Sequence, residues 1–308
     1  MNVVLLDSQY DLRRYPFAHE VAPNLLPIVE TPLLGRTVAW LRQAGAREIA
    51  LVSPRNPADD FELARAVVDY QLRPVASLGE ALDRSRRQLR LDELLLVMEP
   101  NLHRLPDFSE LLERHMIGRN ALTYVRGTHV DGPGRYTFGS PVLALASPVV
   151  SRMMRFDDRP RPLEHMLQTV RARGLGVGSV EPDRRVTVID NSYALYHANL
   201  HMLTPQFLQR SANDHGLTQR SENLWVGRSA RLGQISVDPR GGAVVIGRGA
   251  GVGDGSILRG PTIVGRGANI ESGSCLHRSL VLVGSQIPRE SWVSRSIISK
   301  RLRQRVVA

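Results

Sequence analysis

Two kinds of hydrophobic pattern divide the chain. Up to about residue 205, short apolar runs of strand length alternate with segments whose apolar residues recur at helical spacing. The runs predict strands at 3–6, 48–53, 93–98 and 121–126, and the spacing predicts helices at 33–44, 61–70, 162–174 and 193–203. Strands that alternate with helices in this way predict an α/β domain built from right-handed βαβ units.

From about residue 222 the pattern changes to a period of six. Aliphatic residues recur at every sixth position, and small or hydroxyl-bearing residues recur four places after the first five of them. The aliphatic set is Ile246, Val252, Leu258, Val264, Ile270, Leu276 and Leu282, and the small set is Ala250, Ser256, Thr262, Ala268 and Ser274. Val226 and Leu232 begin the same series before an interruption at 236–242. This period predicts a left-handed parallel β-helix of hexapeptide repeats.

The two patterns together predict the domain organisation. We expect an α/β domain at 1–205, a polar, turn-rich linker at 206–221, a β-helix at 222–300 and a basic tail at 301–308. A length of 308 residues and a hydrophobic content of 42% are sufficient for two domains with full cores.

The net charge and the cysteine count limit the classes of binding partner and the cellular compartment that we expect. The net charge is +10, and Lys300 is the only lysine among 40 basic residues. Scattered arginines indicate either a bias of Arg over Lys on solvated faces or an anionic partner, and no nucleic-acid motif accompanies them. The single cysteine, Cys275, excludes an internal disulfide. Without a secretory signal or an apolar run of spanning length, we expect a cytoplasmic protein with no membrane span.

The first 34 residues carry a series of short motifs. A strand ending in Leu5-Leu6 is followed by Arg13 and Pro16 in a polar loop, then by L-L-P-I at 25–28 and P-L-L at 32–34. This series resembles the signature of sugar-1-phosphate nucleotidyltransferases (NDP-sugar pyrophosphorylases, including mannose-1-phosphate guanylyltransferases). The resemblance continues through the C-terminal repeats. It implies a nucleotidyltransferase domain of Rossmann-like, GT-A type, followed by the left-handed β-helix.

The nucleotide loop departs from the family signature. Family members have G-x-G-T-R-x-x-P and a K-P lysine, whereas this chain has Gln9 and Asp11 in place of the glycines and Pro23 in place of the lysine. Only glycine lets backbone N–H groups wrap phosphates without strain, so triphosphate binding should be weakened. The resemblance gives a candidate nucleotide- and sugar-binding set of Ser8, Gln9, Asp11, Arg13, Arg14, Gly79 and Gly139. Arg13 is the one candidate for a catalytic role.

Gly79 and Gly139 enter this set through two further motifs. Residues 77–82 resemble a segment near the nucleotide base in the family, although Ser77 and Glu80 also fit a helix capping box. Phe138-Gly139 followed by Val142-Leu143 resembles a strand whose glycine lets the sugar approach. Between residues 127 and 136 we expect a short, turn-rich link that lacks the family's sugar-phosphate lysine.

The metal ligands of the family are only partly present. The family's first Mg²⁺ aspartate falls on Asn101, which brings no charge to a hard cation. Glu99 lies two residues earlier, on the same side of an extended strand, and could substitute for it. The second metal aspartate falls on Asp190, which could equally cap the helix at 193–203. We therefore expect a metal site that is weak or lost, with Mg²⁺ as cofactor only if the protein is active.

One histidine of the repeats suggests a different activity. Hexapeptide β-helices also form acyltransferases that use a coil-edge histidine as base, and His277 is the histidine within the ladder. Such enzymes work alone or with a small N-terminal domain, unlike this chain. A solvated His277 is the favoured interpretation.

These features predict a catalytically impaired member of the family, a pseudoenzyme. It would bind a nucleotide or nucleotide sugar weakly, or act as a regulatory or scaffold protein in polysaccharide or glycoconjugate biosynthesis. We expect a homo-oligomer formed through the β-helix and a partner protein in polysaccharide synthesis. Two alternatives remain: an active nucleotidyltransferase using Arg13, Arg14, Glu99 and Asp190, and a ligand-free assembly protein.

Overall fold

The computed structural model describes residues 1–7, 16–19, 23–53, 61–75, 80, 94–103, 105–133, 135–147, 149–150, 162–181, 186–238 and 240–306. The chain divides into two compact units, and each unit is made of three separate segments of the sequence. The first unit comprises Met1–Asp11, Val21–Leu26 and Pro32–Asp190, and the second comprises Leu12–Glu20, Pro27–Thr31 and Asn191–Ala308. The predicted boundaries at 205 and 222 stay a prediction.

Strands and helices alternate along the first 190 residues. The strands are β1 (Asn2–Leu6), β2 (Pro27–Ile28), β3 (Thr31–Pro32), β4 (Glu48–Val52), β5 (Arg73–Val75), β6 (Leu95–Met98), β7 (Leu122–Gly132), β8 (Arg135–Ala146) and β9 (Val177–Val180). The helices are α1 (Leu33–Gln43), α2 (Phe61–Asp69), α3 (Phe108–Ile117) and α4 (Pro162–Ala172), with 3₁₀ turns at Pro16–His19 and Pro23–Leu25. The predicted α/β class is therefore observed.

The sheet of the first unit is mixed. Its seven strands follow the order β5-β4-β1-β6-β8-β7-β9. Strands β5, β4, β1 and β6 run parallel, whereas β8 is antiparallel to both β6 and β7. Successive residues of β1 are buried in two separate cores, one shared with α1, α2 and α3 and the other with α4. This two-sided burial explains why β1 is apolar at every position after Asn2.

The hairpin of β7 and β8 corrects a prediction. The expected short link at 127–136 is instead paired backbone, in which Thr128 lies opposite Phe138 and Val130 opposite Tyr136. The dipeptide Pro-Gly at 133–134 is a turn signal between two strand-forming segments. Register shifts between Val125 and Thr128 mark a bulged region in this hairpin. His129 lies in the part of the hairpin beyond the bulge, opposite Thr137.

The second unit is built from short strands in three sheets. They are β10 (Leu217–Ser221), β11 (Leu224–Gly227), β12 (Arg231–Leu232), β13 (Ser236–Asp238), β14 (Val244–Ile246), β15 (Gly251–Val252), β16 (Ile257–Arg259), β17 (Thr262–Val264), β18 (Asn269–Ile270), β19 (Cys275–His277), β20 (Leu280–Val281), β21 (Gln286–Ile287), β22 (Trp292–Ser294), β23 (Ser296–Ile298) and β24 (Arg303–Arg305). The sheet orders are β10-β11-β14-β17-β20-β23-β24, β12-β15-β18-β21 and β13-β16-β19-β22. From β11 to β23, consecutive strands fall in successive sheets and every pair is parallel. This arrangement is compatible with the predicted β-helix, and its handedness stays a prediction.

The aliphatic series is buried as predicted up to Leu276, after which the period shortens. Ile246 lies opposite Val264, but Val264 lies opposite Val281, not the predicted Leu282. The corner after β19 contains one residue fewer, and Arg278 takes a left-handed conformation there, with φ of 46°. Leu282 is buried at 5% exposure but lies outside β20. The prediction that Leu282 continues the ladder is therefore corrected to Val281.

Hydroxyl side chains fill the corners of the coils. Ser256, Thr262 and Ser274 are all fully buried, as the small-residue positions of the pattern predict. The Ser274 hydroxyl donates a hydrogen bond to the carbonyl of Pro288 at 2.9 Å, and Ser256 donates to Glu271 at 3.3 Å. These bonds satisfy carbonyl groups that a purely aliphatic corner would leave unpaired.

The predicted linker and tail both contain regular structure. Helices α5 (Ser192–His201) and α6 (Pro205–His215) precede β10, which pairs antiparallel with β11. Within the predicted tail, β24 pairs antiparallel with β23. Antiparallel strands thus cover both edges of the seven-stranded sheet and limit open edge pairing. Among the described helices, none is both long and apolar enough to cross a membrane.

A clamped turn between β2 and β3 belongs to the second unit. Val29 is buried and has φ of 63°, an unfavourable conformation for a β-branched residue. Its N–H donates to the Asn199 side-chain oxygen at 2.7 Å. The Asn199 amide nitrogen in turn donates to the carbonyls of Pro27 at 3.2 Å and Leu195 at 3.0 Å. Asn199 therefore holds the turn in its strained form.

Glu30, the next residue of this turn, carries a partly buried carboxyl group. Burial raises its pKa to about 7, although Arg266 and Arg248 and a backbone hydrogen bond from Arg248 act in the opposite direction. Its Oε1 atom is buried and accepts no hydrogen bond from the described residues. A Cβ atom added at Gly247 would overlap this oxygen, so the glycine leaves room for the carboxylate.

Candidate functional site

Most of the candidate nucleotide-binding residues lie outside the described residues. They are Ser8, Gln9, Asp11, Arg13, Arg14 and Gly79, together with the candidate helix cap Ser77. Gly139, Glu99, Asn101 and Asp190 lie within the described part of the first unit. Three of these four residues, Glu99, Asn101 and Asp190, are the candidate metal ligands.

A short extended segment, 186–190, positions the site. On one side the Val188 N–H donates to the Thr128 carbonyl at 3.0 Å, and on the other the Ile189 N–H donates to the Asn101 carbonyl at 2.8 Å. The segment is thus held between the hairpin and the chain that follows β6. These two sets of backbone bonds bring residues from three distant parts of the sequence to one place.

His129 and Asp190 form the best-defined contact of the site. The Nδ1–H of His129 donates to Asp190 Oδ2 at 2.8 Å, because a carboxylate can only accept here. Both side chains are largely buried, with 26% and 19% exposed. The imidazole ring also lies against Gly139, where an added Cβ atom would overlap Nε2 and Cδ2. The glycine that the resemblance assigns to sugar approach is covered by His129.

Glu99 completes the charged part of the site. Its backbone N–H donates to the Val142 carbonyl at 2.9 Å, which continues the pairing of β6 with β8. Burial raises the pKa of Glu99 to about 7, with His129 lowering it and Asp190 raising it further. The two carboxylates that the sequence put forward are therefore electrostatic neighbours, with His129 acting on Glu99 as well.

Asn101 is engaged by the protein itself. Its side chain is 2% exposed, and Nδ2 donates to the Ile189 carbonyl at 3.2 Å. The Oδ1 atom is buried and accepts no hydrogen bond from the described residues. The side chain thus ties the chain after β6 to the segment that ends in Asp190. This is a structural use of the residue that replaces the family's first metal aspartate.

The donor set does not fit the divalent cation that the resemblance implies. In the described part of the chain, no three side chains among His, Cys, Asp and Glu converge to hold a metal ion. Asn101 is neutral, and the Asp190 oxygen Oδ2 already accepts from His129. A hard cation such as Mg²⁺ requires several carboxylate, carbonyl or water oxygens in near-octahedral geometry.

The alternative role of Asp190 as a helix cap is wrong. Helix α5 begins at Ser192, and its N-cap is Asn191, whose side-chain oxygen accepts from the Ala194 N–H at 2.8 Å. Asn, like Asp, is a preferred residue at this position. Asp190 is therefore available for the contact with His129.

His129 is the site residue that the sequence did not reveal. It lies in the segment expected to be a turn-rich link, and a single histidine on a hairpin strand carries no motif. The available signal was Pro-Gly at 133–134 flanked by strand-forming residues, which predicts a hairpin. Its pairing with Asp190 depends on the bulged register of β7 and could not be read from spacing.

The second histidine considered, His277, lies on the surface of the second unit. It is partly exposed, and its Nδ1 is 3.4 Å from the Ser294 hydroxyl. Burial lowers its pKa, and the neighbouring Arg278, Arg259 and Arg295 lower it further.

Comparison with known proteins yields structural likeness without sequence relatives. No protein-family model and no curated protein matches the chain. A protein from Bacillus anthracis described as a glucose-1-phosphate thymidylyltransferase, solved with sucrose, has a TM-score of 0.48 and 14% identity over 65% of this chain and 94% of its own. HddC from Yersinia pseudotuberculosis, complexed with GMP-PN, has a TM-score of 0.48 and 12% identity over 64% of this chain and 97% of its own. Likeness at this level assigns no activity.

Proposed function

We propose that this protein is a catalytically impaired relative of the sugar-1-phosphate nucleotidyltransferases. It binds a nucleotide sugar weakly and serves as a regulatory or scaffold protein in polysaccharide or glycoconjugate biosynthesis. The observation that carries the proposal is the contact of Asp190 with His129, together with a neutral, internally bonded Asn101.

The electrostatic requirements of the reaction support impaired catalysis. Joining a nucleoside triphosphate to a sugar 1-phosphate develops negative charge that metal ions and lysines normally stabilise. The chain has no lysine before Lys300 and no second aspartate at position 101. Losing one such contact typically lowers the rate by about a hundredfold or more. Several losses in one site leave little activity.

The position of the site supports ligand binding. Ligands of open α/β sheets bind beyond the carboxyl ends of the parallel strands, and Glu99 and Asn101 follow the end of β6. Arginine binds phosphate oxygens in a bidentate way, so Arg13 and Arg14 give a nucleotide sugar a partner without a glycine loop. Asp11 opposes this binding through its negative charge.

The test combines turnover with binding. Pyrophosphate release is measured for common triphosphate and sugar 1-phosphate pairs, with Asp190→Ala as the background. Calorimetry with nucleotide sugars, with and without Mg²⁺, measures binding to the wild type and to Arg13→Ala. The proposal predicts no release above background, and weak binding that Arg13→Ala abolishes.

One observation favours a second candidate, an active transferase with a rearranged site. Glu99 and Asp190 are close enough to influence each other's charge, and two carboxylates are the minimum for a rearranged metal site. In this candidate Arg13 and Arg14 replace the family lysines. Pyrophosphate release above the Asp190→Ala background would favour it over the impaired relative.

We also propose that the second unit mediates assembly. We expect its stacked short strands to form the left-handed β-helix that the hexad period predicts, and the flat outer faces of such coils favour self-association. Solution scattering on the full chain measures the oligomeric state. If nothing binds at millimolar ligand and the protein is still oligomeric, the ligand-free assembly role remains.

A further inference from the structure

The contact between His129 and Asp190 has a consequence for metal binding. The imidazole of His129 lies against one carboxylate oxygen of Asp190, and its Nδ1 is 2.8 Å from Oδ2. This separation is typical of a direct hydrogen bond and leaves no space for an ion between the two atoms. A cation bound to Oδ2 of Asp190 must therefore displace the ring.

The ring is held in this position by the surrounding backbone. The residue before it, Thr128, exchanges hydrogen bonds with the segment that ends in Asp190, donating to Val186 at 2.7 Å and accepting from Val188 at 3.0 Å. Gly139 on the paired strand leaves room for the ring on its other face. The position of the His129 ring is thus set by the segment that ends in Asp190 and by the paired strand that contains Gly139.

The neighbouring groups complete the same arrangement. Glu99 lies within electrostatic range of both His129 and Asp190. Asn101, at the position from which a second carboxylate would reach a metal, donates its amide to Ile189 at 3.2 Å. The amide of Asn101 and the carboxylate of Asp190 are thus both directed towards other protein groups.

We infer that the imidazole of His129 occupies the place of a divalent cation on Asp190, so that this site binds its ligand without a metal. The inference concerns the metal alone and does not depend on which ligand the site takes. It follows from the position of the His129 ring against Asp190 and from the hydrogen bond of the Asn101 amide to Ile189. Removing the ring should break this hydrogen bond to Asp190 and leave the carboxyl groups of Asp190 and Glu99 within electrostatic range of each other, and neighbouring carboxylates attract a divalent cation.

The test uses Mn²⁺ alone as the probe and the full-length protein. Electron paramagnetic resonance counts free Mn²⁺ during titration of the wild type, His129→Ala and Gly139→Ala. The second variant keeps the histidine but places a methyl group where its ring lies. His129→Ala combined with Asp190→Asn removes the opened site again. His201→Ala, an exposed histidine of α5, is the matched control, and circular dichroism checks the fold of each variant.

The expected result is no saturable binding by the wild type or the control at millimolar Mn²⁺. A saturable site should appear in His129→Ala and Gly139→Ala and disappear in the double variant. Gly139→Ala alone carries the test if His129→Ala does not fold. The inference is overturned if the wild type binds Mn²⁺ saturably and Asp190→Asn abolishes it. It is also overturned if the folded variants bind no more Mn²⁺ than the wild type.

Discussion

Glu30 should make the second unit less stable as the pH rises. Burial raises the pKa of this carboxyl from 4.5 to about 7, so the folded protein holds a proton that the unfolded chain has released. Between these two values the folded state binds more protons, and the free energy of unfolding falls with increasing pH. Below pH 4.5 both states are protonated and there is no penalty. Above about pH 7 the full penalty applies.

The magnitude follows from the pKa values. A tenfold change in acid dissociation constant corresponds to about 1.4 kcal/mol, so the rise to about 7 corresponds to about 3 kcal/mol at full ionisation. Glu30 is only partly buried, and screening by solvent reduces this to about 2 kcal/mol. The substitution Glu30→Gln removes the ionisation but keeps an acceptor for the Arg248 N–H. It should stabilise the second unit by about 2 kcal/mol at pH 8 and change little at pH 4.5.

Tryptophan fluorescence can isolate the second unit in this experiment. Trp225 and Trp292 lie in that unit, and Trp40→Phe removes the signal of the third tryptophan. Urea unfolding in this background, repeated from pH 4.5 to 8.5, gives the difference between Glu30→Gln and its parent. Glu222→Gln, at an exposed position, is the control. Parallel stability curves for Glu30→Gln and its parent at every pH would refute the argument.

Two further predictions concern the second unit. Asn199→Ala removes one acceptor and one donor group that together make two buried hydrogen bonds and one partly buried one, and it should lower the free energy of unfolding by about 2 to 4 kcal/mol in the same urea assay. Asn199→Asp, which keeps only the acceptor to Val29, should have an intermediate stability. An unchanged stability would show that the turn holds its conformation unaided. Trp292 is 61% exposed on the outer face of β22. If that face mediates assembly, Trp292→Glu should reduce the molar mass measured by light scattering. Met116→Glu, at an exposed position on α3 of the first unit, should leave the molar mass unchanged.

The periodic part of the sequence predicts its structure well because burial repeats with the period. Each aliphatic residue of the six-residue series from Ile246 to Leu276 is buried, and the small residues of the pattern are buried too. The prediction fails after His277 because a corner can lose one residue when Arg278 adopts a left-handed conformation. The period of the earlier repeats does not predict that this corner is one residue shorter.

The candidate site was predictable only where a residue follows a strand directly. Glu99 and Asp190 were found because strand ends and family motifs mark them. His129 was not, because its position depends on a bulged hairpin and on backbone bonds to a segment far along the chain. Residues brought together by such long-range pairing share no local spacing, so no pattern along the chain reveals them.

The clamped turn at Val29 has a consequence for how the protein can be made and divided. Its partner Asn199 is 170 residues further along the chain, so a ribosome must synthesise the whole first unit before the turn can be fixed. Contacts of such high sequence separation slow folding, because the intervening loop must close first. A truncated chain ending near residue 190 would keep Pro27–Thr31 but lack every later residue of the second unit to which that segment belongs. To produce the second unit separately, residues 27–31 would have to be joined to the C-terminal part of the chain in a new order.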